Sequence, residues 1–333
     1  MSRYSQLEPL DQDETVRLAV ALCNFFSPIN NQKIRTELGL PIDPSRLTPL
    51  PLFEFFKWMK KNGDDVWPKQ LRIRELVLRL EQKGALEFAG TSSGGPGLSN
   101  CYYFMLELSK LASKGILWLG SALGAAYVSH LIKNSIALIT GTTSAGDHAV
   151  GTGTLVVRGT VLTCAHVITD MTIDDHIEIG GERVRVVEQV SDTNVDVGVL
   201  VLERPKEPLA DLGFRRAIEL EEVIVPGYPT IPRGLAPTLT VQRGEIVGRV
   251  EQTFEGHPLE LFSAIARPGN SGGPVVAMDG RIVGLVSRSL ERPREGADAV
   301  VPLPFFSAIP SDVIQISFRN LTNGVELPWE TYA

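Results

Sequence analysis

Cysteine is scarce in this chain of 333 residues, which has only Cys23, Cys101 and Cys164. The three are odd in number and far apart, and they lack the paired spacing of a disulfide framework or a zinc site. We therefore expect no structural disulfide, no metal and no other cofactor. The N-terminus also lacks the apolar stretch of a signal peptide. Together these absences predict a cytoplasmic protein.

Long hydrophobic runs are scarce too. One stretch without charged side chains, residues 115–132 (GILWLGSALGAAYVSHLI), reaches the lower edge of membrane-spanning length. Ser121, Ser129 and His130 interrupt it. This borderline segment is predicted to form a buried helix, and we expect no membrane contact.

The length suits two domains, and the sequence changes character near Asn134. Up to this point basic and acidic side chains are nearly balanced, with a slight basic excess, whereas the remainder is clearly acidic. Helical periodicity dominates residues 1–134, and short strand-like runs separated by Gly, Asp and Pro dominate residues 135–333. The pattern predicts a mostly helical domain followed by an all-β domain.

Residues 1–134 show four helical patterns and then a change of period. The predicted elements are helices over Glu14–Phe26, Asn31–Leu40, Pro51–Asn62 and Gln70–Lys83, and strands over Ala85–Ala89 and Tyr102–Leu106. Helices followed by such a hairpin, LVLRLEQKGALEFAG…CYYFMLELSKLASKG, resemble the end of a winged-helix domain. A death-fold-like helical adaptor is the alternative if the two strands do not form.

Winged helices often bind DNA, and Arg72, Arg74, Arg79 and Lys83 would be the contacting residues. The interspersed acidic residues are unfavourable for contacts with phosphates. We therefore expect no DNA binding, and we predict that residues 1–134 form a sensor or adaptor domain that binds a regulatory protein partner.

Residues 135–333 contain three motifs in the order His, Asp, Ser. They are Thr163–Val167 (TCAHV), Asp196–Leu200 (DVGVL) and Pro268–Pro274 (PGNSGGP). The short strands around them predict a barrel or sandwich. A serine hydroxyl needs an adjacent base to attack a carbonyl, and a carboxylate must hold the imidazole in the right tautomer. The Gly-Asn-Ser turn can also aim the backbone N–H groups of Gly269 and Ser271 at a developing oxyanion.

The three motifs resemble those of the chymotrypsin/trypsin-like serine peptidases, in particular the bacterial Htr/Deg-type branch, over residues 135–310. The resemblance implies a double six-stranded β-barrel with the catalytic triad in the cleft between the barrels. It implies that His166 is the general base and then the general acid, that Asp196 orients it and that Ser271 is the nucleophile. Asp192 is an alternative to Asp196.

One departure from the family concerns activation. Residue 270 is Asn, whereas members activated by cleavage of a precursor carry an Asp that receives the new N-terminal amine. Control through the N-terminal domain is therefore the expected form of regulation.

The resemblance also assigns the substrate-binding residues. Ile265 occupies the floor of the specificity pocket, where an apolar side chain cannot pair with a buried Arg or Lys of the substrate. Ser287 begins the strand edge that pairs with the substrate backbone. Asp298 lies in the segment that approximates the other wall, and an inward-pointing Asp298 would restore a preference for basic residues. The preference thus stays open between apolar and basic residues.

The sequence predicts an intracellular serine endopeptidase that cleaves a protein or peptide substrate through an acyl-enzyme. By analogy of architecture, its biological role is that of a regulated bacterial stress or defence effector. The alternative is a catalytically silent protease-fold regulator that binds DNA or a protein partner.

Overall fold

The computed structural model describes residues 8–43, 45–92, 97–253, 256–287 and 305–331. The chain divides into two compact units. The first unit extends to Leu108 and includes Ser121–Tyr127, and the second contains Ser109–Gly120 and the chain from Val128 onward.

In the part that the structure describes, the first unit combines four helices with a small three-stranded sheet. Its elements are α1 (Gln12–Phe26), α2 (Asn31–Leu38), β1 (Leu50–Pro51), α3 (Leu52–Lys61), α4 (Gln70–Gln82), β2 (Leu86–Thr91) and β3 (Asn100–Phe104). The three strands form an antiparallel sheet in the order β1-β3-β2. The predicted mostly helical character of this part of the chain is confirmed, and the predicted strands form a hairpin. Its assignment to the winged-helix family stays a prediction.

Local signals explain where these helices begin and end. The Asp11 side chain accepts a hydrogen bond from the Glu14 N–H at 2.7 Å and so caps the start of α1. Gly39 caps the C-terminal end of α2, and its φ of 68° lies in the left-handed region that glycine adopts without strain. The helix predicted over Asn31–Leu40 therefore stops two residues earlier, at Leu38.

The core of the first unit is built from the apolar faces of α1, α3 and α4. Leu18 and Phe25 of α1 are fully buried, as are Phe55 of α3 and Ile73 and Leu80 of α4. The rings of Phe25 and Phe55 pack edge to face with their centroids 5.4 Å apart. This burial explains why apolar residues recur at helical spacing in the sequence.

The apolar stretch over residues 115–132 forms short pieces instead of one helix. A turn of 3₁₀ helix at Leu117–Leu119 is followed by α5 (Gly120–Leu123) and α6 (Ala125–Ile132), with Gly124 between them at a φ of 83°. Within the described part of the chain, no helix has the length and apolarity that a membrane crossing requires.

The division between the units differs from the predicted boundary at residue 134, because residues 109–120 and 128–134 belong to the second unit. Leu117 and Leu119 are buried, and the Leu117 N–H donates a hydrogen bond to the Asp211 carboxylate at 2.6 Å. These contacts hold the segment before the first barrel strand to the second unit.

A closed six-stranded barrel makes up the first half of the second unit. Its elements are β4 (Ile136–Thr143), β5 (His148–Val157), β6 (Thr160–Cys164), α7 (Ala165–Thr169), β7 (Met171–Ile173), β8 (His176–Ile179), β9 (Glu182–Asp192) and β10 (Val197–Leu202). The strands follow the order β5-β6-β10-β9-β8-β4, and pairing between β4 and β5 closes the ring. Strand β7 pairs with the C-terminal end of β4, at residues 141–143, and lies outside the ring.

A second closed six-stranded barrel follows. Its elements are β11 (Gly213–Phe214), β12 (Glu222–Gly227), β13 (Thr240–Val250), β14 (Leu259–Phe262), β15 (Pro274–Ala277), β16 (Arg281–Val286), β17 (Phe306–Pro310) and the helix α8 (Ser311–Leu321). The ring order is β16-β15-β12-β13-β14-β17, and pairing between β16 and β17 closes it. The predicted double barrel is confirmed.

A buried ion pair ties the C-terminal segment to the second barrel. The Arg281 guanidinium donates to the Glu330 carboxylate at 2.9 and 2.7 Å, and its Nη1 donates to the Asp211 carbonyl oxygen at 2.7 Å. Arg281 and Glu330 are both buried. Loss of one partner from such a pair leaves an uncompensated charge in the interior.

We expect Arg281→Met to lower the free energy of unfolding of the second unit by about 3–5 kcal/mol, because Glu330 would stay buried without its counterion. The matched control is Arg319→Met, which breaks an ion pair to Glu326 whose side chains are 62% and 64% exposed, and exposed pairs contribute about 1 kcal/mol or less. Urea unfolding measures both. Equal losses in the two variants would contradict the importance of the buried pair.

Candidate active site

The first barrel supplies an imidazole and a carboxylate in direct contact. His166 lies on α7, directly after β6, and Asp196 directly precedes β10, which pairs with β6. The His166 Nδ1–H donates to the Asp196 oxygens Oδ1 and Oδ2 at 2.9 and 2.8 Å. The His166 backbone N–H donates to Oδ1 as well, at 2.9 Å. This pairing leaves Nε2 of the neutral ring as the proton acceptor.

The environment of Asp196 keeps its carboxylate charged. Burial alone would raise its pKa, but the hydrogen bonds and charge of His166, with a hydrogen bond from the Ser287 hydroxyl at 2.8 Å, outweigh burial. The net result is a pKa below the usual aspartate range. The backbone of Asp196 has a φ of 61°, a left-handed conformation that Asp tolerates better than most residues.

The second barrel supplies the turn over residues 268–274. Gly269 has a φ of 100°, which a residue with a Cβ rarely adopts. The Asn270 N–H donates to the Arg267 carbonyl oxygen at 2.9 Å and closes the turn. Among the described residues, the N–H groups of Gly269 and Ser271 have no acceptor. Two such donors in one turn are what an oxyanion requires.

Thr152 on β5 holds this turn against the first barrel. Its hydroxyl donates to the Gly269 carbonyl oxygen at 2.6 Å and accepts from the Tyr228 N–H at 3.0 Å. Its backbone N–H donates to the Ser271 carbonyl oxygen at 2.9 Å. The side chain is fully buried. Thr152 therefore fixes the Gly269–Asn270 and Ser271–Gly272 peptides, which lie on either side of the peptide that carries the Ser271 N–H. The sequence analysis did not identify it.

The turn lies against the C-terminal end of β6, which is separated from His166 by one residue. A Cβ added at Gly272 would lie 3.0 Å from the Cys164 nitrogen and would also collide with Thr163 Oγ1. Only glycine permits this approach. Within the described residues, no hydrogen bond joins Ser271 Oγ to His166. Such bonds are often long before substrate binds.

The remaining predicted site residues have different outcomes. Asp192 accepts from Ser317 Oγ at 2.9 Å and does not bond His166, so Asp196 is the carboxylate at the imidazole. Ile265 is 47% exposed, and its place on the pocket floor stays a prediction. Ser287 bonds Asp196, while its pairing with substrate backbone stays a prediction. Asp298 lies outside the described residues.

Cys164 belongs to the same cluster. Its Sγ and the polar side-chain atoms of His166 and Asp196 lie within 4.8 Å of one another, a spacing that could hold a metal ion. Each group already has a hydrogen-bond partner: Cys164 Sγ donates to the Val286 carbonyl oxygen at 3.2 Å, and Asp196 accepts from His166 and Ser287. The three cysteines of the chain all lie within the described residues, and they are buried and form no disulfide.

Comparison with known proteins agrees with this geometry. The family profile of the trypsin-like peptidase domain matches residues 151–285, a range that contains His166, Asp196 and Ser271. This segment is similar to the trypsin-like peptidase domain. Do-like protease 14 of Arabidopsis thaliana is 31% identical over 155 residues, which are 41% of this chain and 35% of that protein. The match spans about a third of the relative's length, and it confirms the resemblance to the Htr/Deg-type branch.

Solved protease structures align with part of this chain. A Mycobacterium tuberculosis protease in its active form is 19% identical, with a TM-score of 0.48, and the alignment covers 61% of this chain and 86% of that chain. A serine endoprotease of Yersinia pestis is 21% identical, with a TM-score of 0.46, over 59% of this chain and 65% of that chain.

We expect Thr152→Val to lower kcat for peptide hydrolysis by about 10- to 100-fold with a smaller effect on KM. Without the hydroxyl, the Gly269–Asn270 peptide, which links the peptides of the two oxyanion donors, is no longer held. Misplacing one such donor costs up to what its removal costs, about 10²–10³ in rate. The matched control is Thr154→Val on the same strand, because the buried Thr154 hydroxyl has no hydrogen-bond partner among the described residues. Equal kinetics for both variants would contradict the positioning role of Thr152.

Proposed function

We propose that this protein is a serine endopeptidase that cleaves a protein substrate through an acyl-enzyme. The observation that carries the proposal is the joint placement of two groups. The His166–Asp196 pair lies at the end of one barrel. A turn from the other barrel carries Ser271 and two N–H groups, those of Gly269 and Ser271, which have no acceptor among the described residues.

In the proposed reaction, His166 Nε2 takes the proton of the Ser271 hydroxyl while Oγ attacks the scissile carbonyl carbon. The N–H groups of Gly269 and Ser271 bind the oxyanion that forms. Asp196 stabilises the imidazolium, which then gives its proton to the leaving amine as the carbon–nitrogen bond breaks. Water repeats the sequence on the ester, so that the acid is released and Ser271 Oγ regains its proton.

Labelling by a fluorophosphonate probe tests the activated serine directly. An adduct on Ser271 of the folded protein supports the proposal, and Ser144→Ala, which alters an exposed serine of the first barrel, should label normally. No adduct on Ser271 would favour the alternative, a catalytically silent regulator with a protease fold. Incubation with a peptide library then shows whether cleavage follows apolar or basic residues, which tests the assignment of Ile265 to the specificity pocket.

The first unit is proposed to regulate the peptidase domain by binding a protein partner. Its winged-helix-like fold and its balanced charge support a role in recognition without DNA binding. We further propose an intracellular location, which the lack of paired cysteines supports, and a role as a bacterial stress or defence effector by analogy of architecture.

We expect a chain that begins at Ser109 to hydrolyse small peptides faster than the full chain, because it lacks the first unit up to Leu108 that is proposed to restrain the peptidase. This start keeps the buried Leu117 and Leu119, which a start at Asn134 would remove. Steady-state kcat/KM on one fluorogenic peptide measures the difference, and circular dichroism checks folding. Equal kcat/KM values for the two folded chains would contradict restraint by the first unit.

A further inference from the structure

The first unit contains a small polar cavity that the proposed function does not use. It has a volume of about 220 Å³ and lies between α2 and the loop that follows it. Most of the residues that line it are polar or charged, among them Asn31, Gln32, Arg35, Asp43, Arg46 and Thr48.

Arg35 is the most unusual of these residues because it is a buried cation without a counterion among the described residues. The residue is only 9% exposed. Its Nη1 and Nη2 donate to the carbonyl oxygens of Pro41 and Thr48 at 2.7 and 3.3 Å, and both acceptors are neutral. Its Nε has no hydrogen-bond partner among the described residues, and no described carboxylate lies within ion-pair distance. A buried charge in this state is costly unless an anion completes it.

The rest of the lining leaves the cavity with positive charge. Arg46 is exposed at its rim and adds a second guanidinium. Asp43 is the single carboxylate among the described lining residues, and its Oδ1 already accepts hydrogen bonds from the Ser45 N–H at 2.9 Å and the Ser45 hydroxyl at 2.6 Å. Two guanidinium groups against one carboxylate favour an anionic ligand.

We propose that this cavity binds a small ligand through an oxyanion, either a phosphate or a carboxylate group. The forked donors of arginine match both groups, and charge-assisted hydrogen bonds to them are the strong ones. The guanidinium groups of Arg35 and Arg46, which both line the cavity, would be the principal donors. The volume lies below the roughly 300 Å³ at which pockets for drug-sized molecules begin, so the ligand is small.

The test is calorimetric titration of the full chain with inorganic phosphate and, separately, with succinate, at constant ionic strength set with chloride. We expect saturable binding of at least one of them, and the one that binds identifies the oxyanion. Arg46→Met should raise its dissociation constant by about tenfold or more, since hydrogen bonds to a charged group contribute about 1.5–3 kcal/mol. Arg46 is exposed, so this change does not endanger the fold.

Lys33→Met is the matched control, because Lys33 is a cation of the same helix α2 whose side chain is 78% exposed and which does not line the cavity. It should bind the anion with unchanged affinity. The proposal is overturned if neither anion binds saturably, or if Arg46→Met and Lys33→Met weaken binding equally, which would indicate attraction to surface charge alone. Arg35→Met should abolish binding if the variant folds, and if it does not fold, the Arg46→Met comparison decides.

Discussion

Ser271→Ala is expected to lower kcat for peptide hydrolysis by on the order of 10⁶-fold, because no other group in the turn can form the acyl-enzyme. The N–H groups of Gly269 and Ser271 survive the substitution, so binding of the oxyanion persists, and a residual rate of about 10³–10⁴ over water is expected. Hydrolysis of a fluorogenic peptide measures the fall in rate, and fluorophosphonate labelling measures the reactive serine hydroxyl. Labelling should be lost, and hydrolysis should fall to the residual rate.

The stability of the Ser271→Ala variant serves as its control. Among the described residues the Ser271 hydroxyl makes no hydrogen bond that the core needs, so the free energy of unfolding should stay within about 0.5 kcal/mol of the parent. Activity retained in a folded Ser271→Ala protein would exclude the acyl-enzyme mechanism. Loss of activity together with loss of folding would instead indicate that the Ser271 side chain contributes to the stability of the fold.

The sequence predicted the fold well where a periodic pattern coincided with burial. The helices of the first unit and the strand runs of the second have apolar faces that show directly in the spacing of residues. Strand β1 was missed because two residues, Leu50 and Pro51, are too few to show any alternation. Helix α8 was missed although Ile314 and Phe318, four residues apart, are both buried, a spacing that is visible in the sequence.

The residues of the candidate site could be predicted where each lies in a short motif of the sequence. His166, Asp196 and Ser271 each lie in a short motif, and the structure brings His166 and Asp196 into contact. Thr152 has no such motif. Its hydroxyl reaches Gly269 across 117 positions of sequence, and only the docking of two barrels brings them together. The hydrogen bond from the Ser287 side chain to Asp196 was not predicted, because the direction of a side chain depends on this same docking. The pairing of Ser287 with substrate backbone stays a prediction.

Asp196→Asn is expected to have the largest effect on kcat among substitutions in the triad that leave side-chain size nearly unchanged. The Asp196 carboxylate accepts three hydrogen bonds from His166 and one from Ser287, and an amide offers one oxygen and an NH₂ group in its place. The NH₂ group would face Nδ1 and favour the tautomer that carries its proton on Nε2. In that tautomer Nε2 cannot accept the Ser271 proton.

We therefore expect Asp196→Asn to lower kcat by about 10⁴-fold at neutral pH, measured on a fluorogenic peptide. Asp192→Asn is the matched control because Asp192 bonds Ser317 and does not contact the imidazole, so this variant should stay close to the parent rate.

The pH dependence of stability measures what the charge of Asp196 contributes to folding, separately from its role in catalysis. The folded pKa of Asp196 is depressed, so its contribution to stability is present above the unfolded pKa and is lost as the pH falls through the folded pKa. The stability difference between the parent and Asp196→Asn should accordingly shrink on acidification. A loss of activity in Asp192→Asn with full activity in Asp196→Asn would reverse the assignment of the two carboxylates.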